Sequence, residues 1–494
     1  MKRIVFLWLA LLPTFSIFAG GSQGSGGGGP NSGRTDELVM AYVTWGMVSA
    51  DTPKVEAAIN EHLASKNLGI KIKVMPMGMA EYLQRIPLML TSPAEPLDLF
   101  PMMVMAGMSI NTHVQQGQVI PLDNLVNQYG QELKKTVGDR YLDTVRINGE
   151  LYGIPTLKDM ARSTGILITR EYVDKYQLDL SVVKKLEDFT PLFAKIKQAE
   201  PNFYPLAFAV AMDVALAVTL DNLGDYFGVL MGQDRKVVNL FESAEYRRTI
   251  AILRSWYQAG YIARDVAAKQ ESQQSQVRAG TACAWMTSAK PGCDIEEAGS
   301  AGHELVLVRF RGPQAATDAI AGVQWVIPHN ARNPEKSMQM INLLYTDPVL
   351  VNLLNYGIEG AHYVKNPDGS IRYPDGITQE TAGYVLDMGW EVGNQFLLYV
   401  REGSPLDLWK QLQDFNNSAE FSPAMGFNFD NTPVLTQVAA LTALAYQYQR
   451  SLETGSVDIS VLDEFNARLK QAGLDEVIAE KQRQLDAWFK AKGR

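Results

Sequence analysis

The chain has 494 residues, 46% of them apolar and 20% charged, which is the balance of a folded soluble protein and too long for one ordinary hydrophobic core. Its net charge is −9 at pH 7. The basic residues form no run longer than pairs such as Lys134-Lys135, Lys184-Lys185 and Arg247-Arg248, which argues against nucleic-acid binding. Lys2 and Arg3 open a short apolar stretch, Ile4 to Phe18, that ends at Ala19, the pattern of a cleaved export signal over 1–19. No cysteine lies beside that point, so the expectation is an unanchored protein confined in a periplasm. Residues 20–36 are Gly- and Ser-rich and read as a flexible tether. Within them Gly24 to Gly29 and Gly20 to Gly24 match two glycine motifs by chance, since neither follows a strand or opens a helix.

Order is expected from a strand at Leu38 to Trp45. A helix follows, with Thr52 and Pro53 at its start and Val55, Ala58, Ile59 and Leu63 as its buried stripe. Ile70, Ile72 and Val74 alternate with Lys71 and Lys73, a strand with one wet face. A helix near 80–91 contains Pro87, where a kink or split is expected. Leu97 to Met105 is the next strand, and this β-α-β-α-β rhythm predicts a parallel sheet covered on both faces. Asn148-Gly149 reads as the two-residue turn of a hairpin. Further strands are expected near 164–169, 281–286, 304–310 and 320–327, with helices near 188–199 and 243–259. The run 205–220 is nearly all apolar but is interrupted by Asp213, so it reads as a buried helix and not a membrane span. From about 433 the chain is helical, over Leu435–Arg450, Ser460–Gln471 and Leu474–Lys492.

Several segments together resemble a known family. They are Gly149-Glu150-Leu151-Tyr152-Gly153-Ile154-Pro155, Tyr356-Gly357-Ile358-Glu359-Gly360-Ala361-His362-Tyr363 after Pro334 to Met338, Gly393-Asn394 after Trp390, and Leu469 to Asp475. In their order and spacing the chain is similar to the extracellular solute-binding proteins of family 1, in the long subgroup of oligosaccharide-binding lipoproteins, although the lipid-anchoring cysteine of those relatives is absent here. The resemblance implies an α/β, two-lobed periplasmic binding protein fold of type II, with the ligand cleft between the lobes and a helical C-terminus. It places 37–150 and 311–356 in the first lobe, and 151–310 and 357–494 in the second. It implies a monomeric, non-enzymatic substrate-binding component of an ABC importer that closes on a carbohydrate and delivers it to permease subunits in the inner membrane. A glycan-sensing role and, more remotely, a glycoside hydrolase are the alternatives.

A sugar cleft needs aromatic faces and planar polar groups. Trp45 ends the first strand, where doubly wound sheets present ligand-facing residues. Trp285, at the end of the 281–286 strand, is similar to the position where relatives stack a sugar. Lys158 and Asp159, just past the entry into the second lobe, fit a polar contact. Glu359 holds ligand or caps its turn. Trp390 and Asn394 complete the set, while Trp325 belongs in the core. Cys283 and Cys293 could pair in an oxidising compartment, or stand as two small apolar residues. No cofactor is implied, and no metal site either: Asn366 to Ser370 has its glycine at the fourth position, not the sixth of a calcium loop, and the Met75 to Met108 methionines read as filling or a ligand wall and not as copper ligands.

Overall fold

A computed structural model describes residues 35–44, 48–92, 95–208, 213–269 and 271–493. The expected leader and nearly all of the tether lie outside these residues. The first strand, β1 (Asp36–Thr44), is buried from Leu38 onward. The helix Thr52–Ser65 follows and buries Val55, Ile59 and Leu63 along one stripe. β2 (Ile70–Gly78) alternates buried Ile70 and Ile72 with exposed Lys71 and Lys73, and pairs with β1 in parallel from Asp36↔Ile70 to Thr44↔Gly78. The helix Met79–Met89 runs through Pro87 without being divided there, two residues before its end.

Next come β3 (Phe100–Met103) and β4 (Ile154–Pro155). The Asn148-Gly149 turn is present, with φ of 52° and 88° at the two positions and reciprocal amide bonds between Ile147 and Glu150. A second sheet contains β5 (Ser163–Thr169), β6 (Leu206–Ala207), β7 (Ala284–Ala289) and β8 (Leu305–Arg309), in the spatial order β6-β7-β5-β8. The chain then returns through β9 (Gln314–Ala315) to β10 (Val323–Val326), which lies between β3 and β4 and is antiparallel to both. β11 (Val364–Lys365) and β12 (Ile371–Arg372) make a small hairpin whose turn is the Asn366 to Ser370 segment. β13 (Glu420–Phe421) pairs with β9 in parallel.

The parallel sheet expected from the opening rhythm is therefore only part of the architecture. β1 and β2 are parallel, and Met40 bridges Leu99 in parallel. Among strands that meet from a distance in sequence the direction varies: β10 is antiparallel to β3 and β4, and β5 runs against both β7 and β8, whereas β6 is parallel to β7 and β13 to β9. Local alternation reveals which segments are strands; it does not reveal which way a strand returning after 160 or so residues will run.

Two separate hydrophobic clusters form the main cores. One joins β1, β2, β3 and β10 through Leu38, Met40, Ile72, Met102 and Trp325. The other joins β5 and β7 to the C-terminal helices through Ile166, Met286, Trp256, Phe465 and Val477. The C-terminal helices Leu435–Glu453, Ser460–Gln471 and Leu474–Ala491 fall where expected. The segment after Tyr356 divides differently from expectation: Tyr363, Ile371, Tyr384, Met388 and Leu398 pack into the first cluster, and only the later helices into the second. The reason is the path of the chain, since Ile371 hydrogen-bonds Val400 and Asn394 bonds back to Leu344, both beside the first core.

Three segments connect the two regions side by side. Arg162 and Gln314 exchange amide bonds at 2.8 and 2.7 Å, and Gln314 in turn pairs with Glu420.

Candidate functional site

Strand register decides which residues emerge together. Ser163 lies opposite Ala289 and Gly165 opposite Arg309, while β6 runs parallel to β7. Residues just before β5, just after β7 and just after β8 therefore leave the second sheet at one end. In the first sheet Val323 lies opposite Met103, so the short helix Thr317–Ala321 that precedes β10 shares an end with the exit of β3. The connecting segments run between these two ends, and the polar side chains there are the candidate site.

One cluster forms at the exit of the second sheet. Lys158 Nζ lies 3.2 Å from Asp159 Oδ1, and Lys290 Nζ lies 3.4 Å from Asp159 Oδ2 and 3.1 Å from Glu296 Oε2. Burial acts to raise the Asp159 pKa, but the two ammonium groups outweigh it and hold the carboxyl below its ordinary range. Burial would lower Lys290, yet Asp159 and Glu296 together raise it. The main chain beneath is clamped by buried Asn416, whose Oδ1 accepts from the amides of Met160 and Ala161 at 3.0 and 3.1 Å while its Nδ2 donates to the Lys158 carbonyl at 2.7 Å. Sequence reasoning found Lys158 and Asp159, and the structure brings them together with Lys290.

A second cluster joins the two sheet ends. Asp318, on the Thr317–Ala321 helix, accepts from Arg162 Nη1 at 2.9 Å and from Asn222 Nδ2 at 3.2 Å. Tyr226 lies half-buried beside them. Asp221 is buried behind this group, and burial pushes its carboxyl up to about 6, against the opposing hydrogen bonds of Ser422 and the Leu223 amide. An aromatic ring, an amide, a guanidinium and a carboxylate within one cluster are the groups that pair with sugar hydroxyls. None of these residues was anticipated. The available signal was a charged residue just ahead of a predicted strand, as Arg162 stands before β5.

The remaining expected residues lie in varied surroundings. Trp45 lies outside the described residues. Trp390 is half-buried against the first core, and its neighbour Glu391 is fixed there: the Oε1 accepts from the Val43 amide at 2.7 Å and the carbonyl from Trp325 Nε1 at 2.8 Å. Burial pushes the Glu391 carboxyl up to about 8. The exit of β1 and the Trp390 segment are thus held in register. Glu359 is exposed and ion-paired to Lys365 at 2.7 Å. Asn394 is 5% exposed and acts as a cap, donating to the Tyr345 carbonyl and accepting from the Phe396 amide.

Trp285 departs furthest from expectation. It is the second residue of β7, not its end, and is 1% exposed in a small cluster with Leu167, Val277 and Leu305. The disulfide reading is also corrected. Cys283 and Cys293 are free and buried, because Cys283 packs into the core on one face of the second sheet and Cys293 into the Trp285 cluster on the other. Their thiols are pushed up by burial.

The model of the bacterial extracellular solute-binding proteins matches residues 48–349. The chain belongs to that family. It is a binding protein and not an enzyme. A second model, a domain of unknown function (DUF3502), matches residues 423–490. A Streptococcus pneumoniae protein described as a carbohydrate ABC transporter substrate-binding protein is 27% identical over 455 residues, 88% of this chain and 89% of that one. Among solved structures, the N-glycan transport solute binding protein NgtS of Streptococcus pneumoniae is 25% identical, with a TM-score of 0.78 over 92% of this chain and 99% of its own. The same protein in complex with Man5GlcNAc gives a TM-score of 0.65 at the same identity and coverage.

These relatives overturn the periplasmic location expected from sequence. They come from Gram-positive bacteria, whose solute-binding proteins are lipoprotein-anchored and extracytoplasmic. The expectation had rested on the residues around Ala19, whereas these relatives are anchored and extracytoplasmic.

Proposed function

We propose that this protein captures an oligosaccharide between two α/β lobes and presents it to the permease of an ABC importer. The observation that carries this reading is the arrangement of two separate cores joined by three adjacent connecting segments, with sugar-compatible polar clusters where the sheet ends meet. In that reading the lobes have the type II arrangement. The first takes β1 to β4, β10 and the chain to about 400, and the second takes β5 to β8 and the C-terminal helices. Lys158, Asp159, Trp390 and Glu359 face ligand together with Arg162, Asn222, Tyr226 and Asp318. The buried Trp285 and the capping Asn394 support the site from within.

Lobe closure is supported by the comparison with NgtS. Similarity falls between its two structures although sequence and coverage are the same, as rotation of one rigid half against the other would produce. The relatives' substrates, carbohydrates in general and a mannose-containing glycan in one case, favour an oligosaccharide here. A thermal-shift panel of mono- and oligosaccharides with small-angle scattering tests the proposal. A bound ligand at about a hundred times its dissociation constant adds roughly 2.7 kcal/mol of stability, and the radius of gyration should shrink with it. No shift with any neutral or acidic oligosaccharide would overturn the reading.

A further inference from the structure

We infer that Lys481, buried in the last helix, is a positioning residue for ligand recognition that acts through the turn carrying Asn222 and Tyr226. The inference rests on the carbohydrate reading above. Lys481 is 0% exposed, the lowest of any lysine or arginine among the described residues. The other buried side chains of its helix, Leu474–Ala491, are Leu474, Val477, Leu485 and Phe489. Replacing a buried ion pair by apolar side chains is often neutral or stabilising, so an ammonium group in this row is a poor source of stability. Its partners show what it does instead. Nζ donates to Asp225 Oδ1 at 2.6 Å and to the Gly228 carbonyl at 3.0 Å. Both acceptors lie in the segment between Leu220 and Leu230, which Asp221 and Leu230 close by exchanging amide bonds at 3.1 and 2.9 Å.

Within that segment the backbone is bent so as to present Asn222. Leu223 has a φ of 52°, a conformation that a leucine keeps only where its surroundings impose it. Its side chain is buried in a cluster with Leu230, Val237, Phe427, Leu485 and Phe489, the last two from the helix of Lys481. The Gly224 amide donates to Asn222 Oδ1 at 2.9 Å, which leaves Asn222 Nδ2 to donate to Asp318 at 3.2 Å. Asp225 Oδ1 accepts from the Phe227 amide at 2.7 Å as well as from Lys481, so one carboxylate oxygen ties the helix to the residue after Tyr226. At Gly228 the helix comes so close that an added Cβ would stand 3.2 Å from Ile478. Apolar contacts hold the turn down, and the two bonds of Lys481 set its orientation, because hydrogen bonds are directional and apolar burial is not. The C-terminal helices thereby take a part in recognition beyond filling the second core.

Calorimetric titration of the full chain with a neutral mannose pentamer and an acidic mannuronate pentamer tests this, with the melting temperature followed for each variant. Asn222→Ala should weaken whichever pentamer binds by about tenfold. Lys481→Met leaves Asp225 without its cation and should lower both affinity and melting temperature. Combining it with Asp225→Asn removes the stranded charge and keeps an oxygen for the Phe227 amide. The double variant should regain most of the melting temperature and still bind about tenfold more weakly than the wild type. Adding Asn222→Ala to it should cost less than about a further twofold, because the turn no longer presents that side chain. Should both variants fail to fold, Asp225→Asn alone, at a side chain 20% exposed, should weaken binding by about threefold. Affinity that returns with stability in the double variant overturns the inference and leaves the carbohydrate reading intact. So does an Asn222→Ala effect that is absent in the wild type or as large in the double variant, or an unchanged affinity in Asp225→Asn. Binding of neither pentamer by the wild-type protein removes the carbohydrate reading, and this inference with it.

Discussion

The two cores fill the same kind of space with different side chains. The first is the richer in thioethers, with Met40, Met77, Met102, Met103, Met338 and Met340 among its buried residues. The second is built on interlocked rings: Phe193 meets Trp256 edge-on at 5.2 Å, Phe241 meets Phe465 at 4.9 Å, and Tyr448 stacks on Phe465 at 5.3 Å. Methionine has three rotatable bonds and fills irregular gaps, whereas packed rings have few alternative positions. The first core should therefore yield to substitution and the second should not.

The largest effect is expected in the aromatic core. Trp256→Ala removes a fully buried indole whose Nε1 donates to Thr190 Oγ1 at 2.9 Å, and should cost about 3–5 kcal/mol in denaturant unfolding. A loss below about 1 kcal/mol would mean that the ring lattice is no stiffer than its counterpart. Asn416→Ala comes next, at about 2–3 kcal/mol, because the Met160 and Ala161 amides lose their shared acceptor. Ligand affinity should fall with it, since the Lys158-Asp159 backbone is released. Unchanged affinity in a destabilised variant would detach that cluster from the site.

The first core holds the acid that titrates. Burial pushes Glu391 up to about 8, so between about pH 4.5 and that value the folded protein keeps a proton that the unfolded chain has released. Stability should accordingly fall as pH rises through this window and level off above it. Asp221, pushed up to about 6, adds a slope of the same sign between about pH 4 and that value. Glu391→Gln keeps the shape and cannot ionise, so its melting curve should be flatter, near wild type at about pH 5 and above it at about pH 8, by on the order of 4 kcal/mol. Parallel curves for the two proteins would place the titration elsewhere. Met102→Leu, by contrast, should cost less than about 1.5 kcal/mol, since the volume is kept and the neighbouring thioethers can adjust.

Sequence patterns were informative where the structure is local. The C-terminal helices are legible because an apolar stripe of helical period ends at residues such as Gly473, which has a φ of 96°. The Asn148-Gly149 turn is legible because both positions need positive φ, which these residues tolerate. Strand direction was not, since β10 meets β3 across a separation no local pattern spans. Trp285 was misread for a related reason. Alternation along β7 sends Ala284 and Met286 into the second core and Trp285 into the small cluster on the opposite face, so neither face is wet and no residue of the strand is marked as ligand-facing. The candidate site was half legible. Lys158 and Asp159 stand together in sequence, but Arg162, Asn222 and Asp318 are single polar residues on three distant segments, and only the fold makes them neighbours.

The smallest effect concerns the second sheet, and its value lies in being near zero. A native disulfide would hold together what the register of β7 keeps apart, and removing one typically costs 2–5 kcal/mol. Here Cys283 is fully buried on the Ile166 side of the sheet, within reach of the Pro205 carbonyl, while Cys293 opens the helix Cys293–Ala301 that covers the Trp285 side. A bond between them would have to pass through the sheet. Reductant should then leave the melting temperature unchanged, and both thiols should be recovered by alkylation after unfolding without reduction. In the folded state both should react slowly, because burial raises their pKa values and leaves little thiolate. A melting temperature that falls on reduction, or a linked peptide pair in the unreduced digest, would show that the edge of β7 rearranges to join the two faces. It would then be the second region, not the first, whose packing is adaptable.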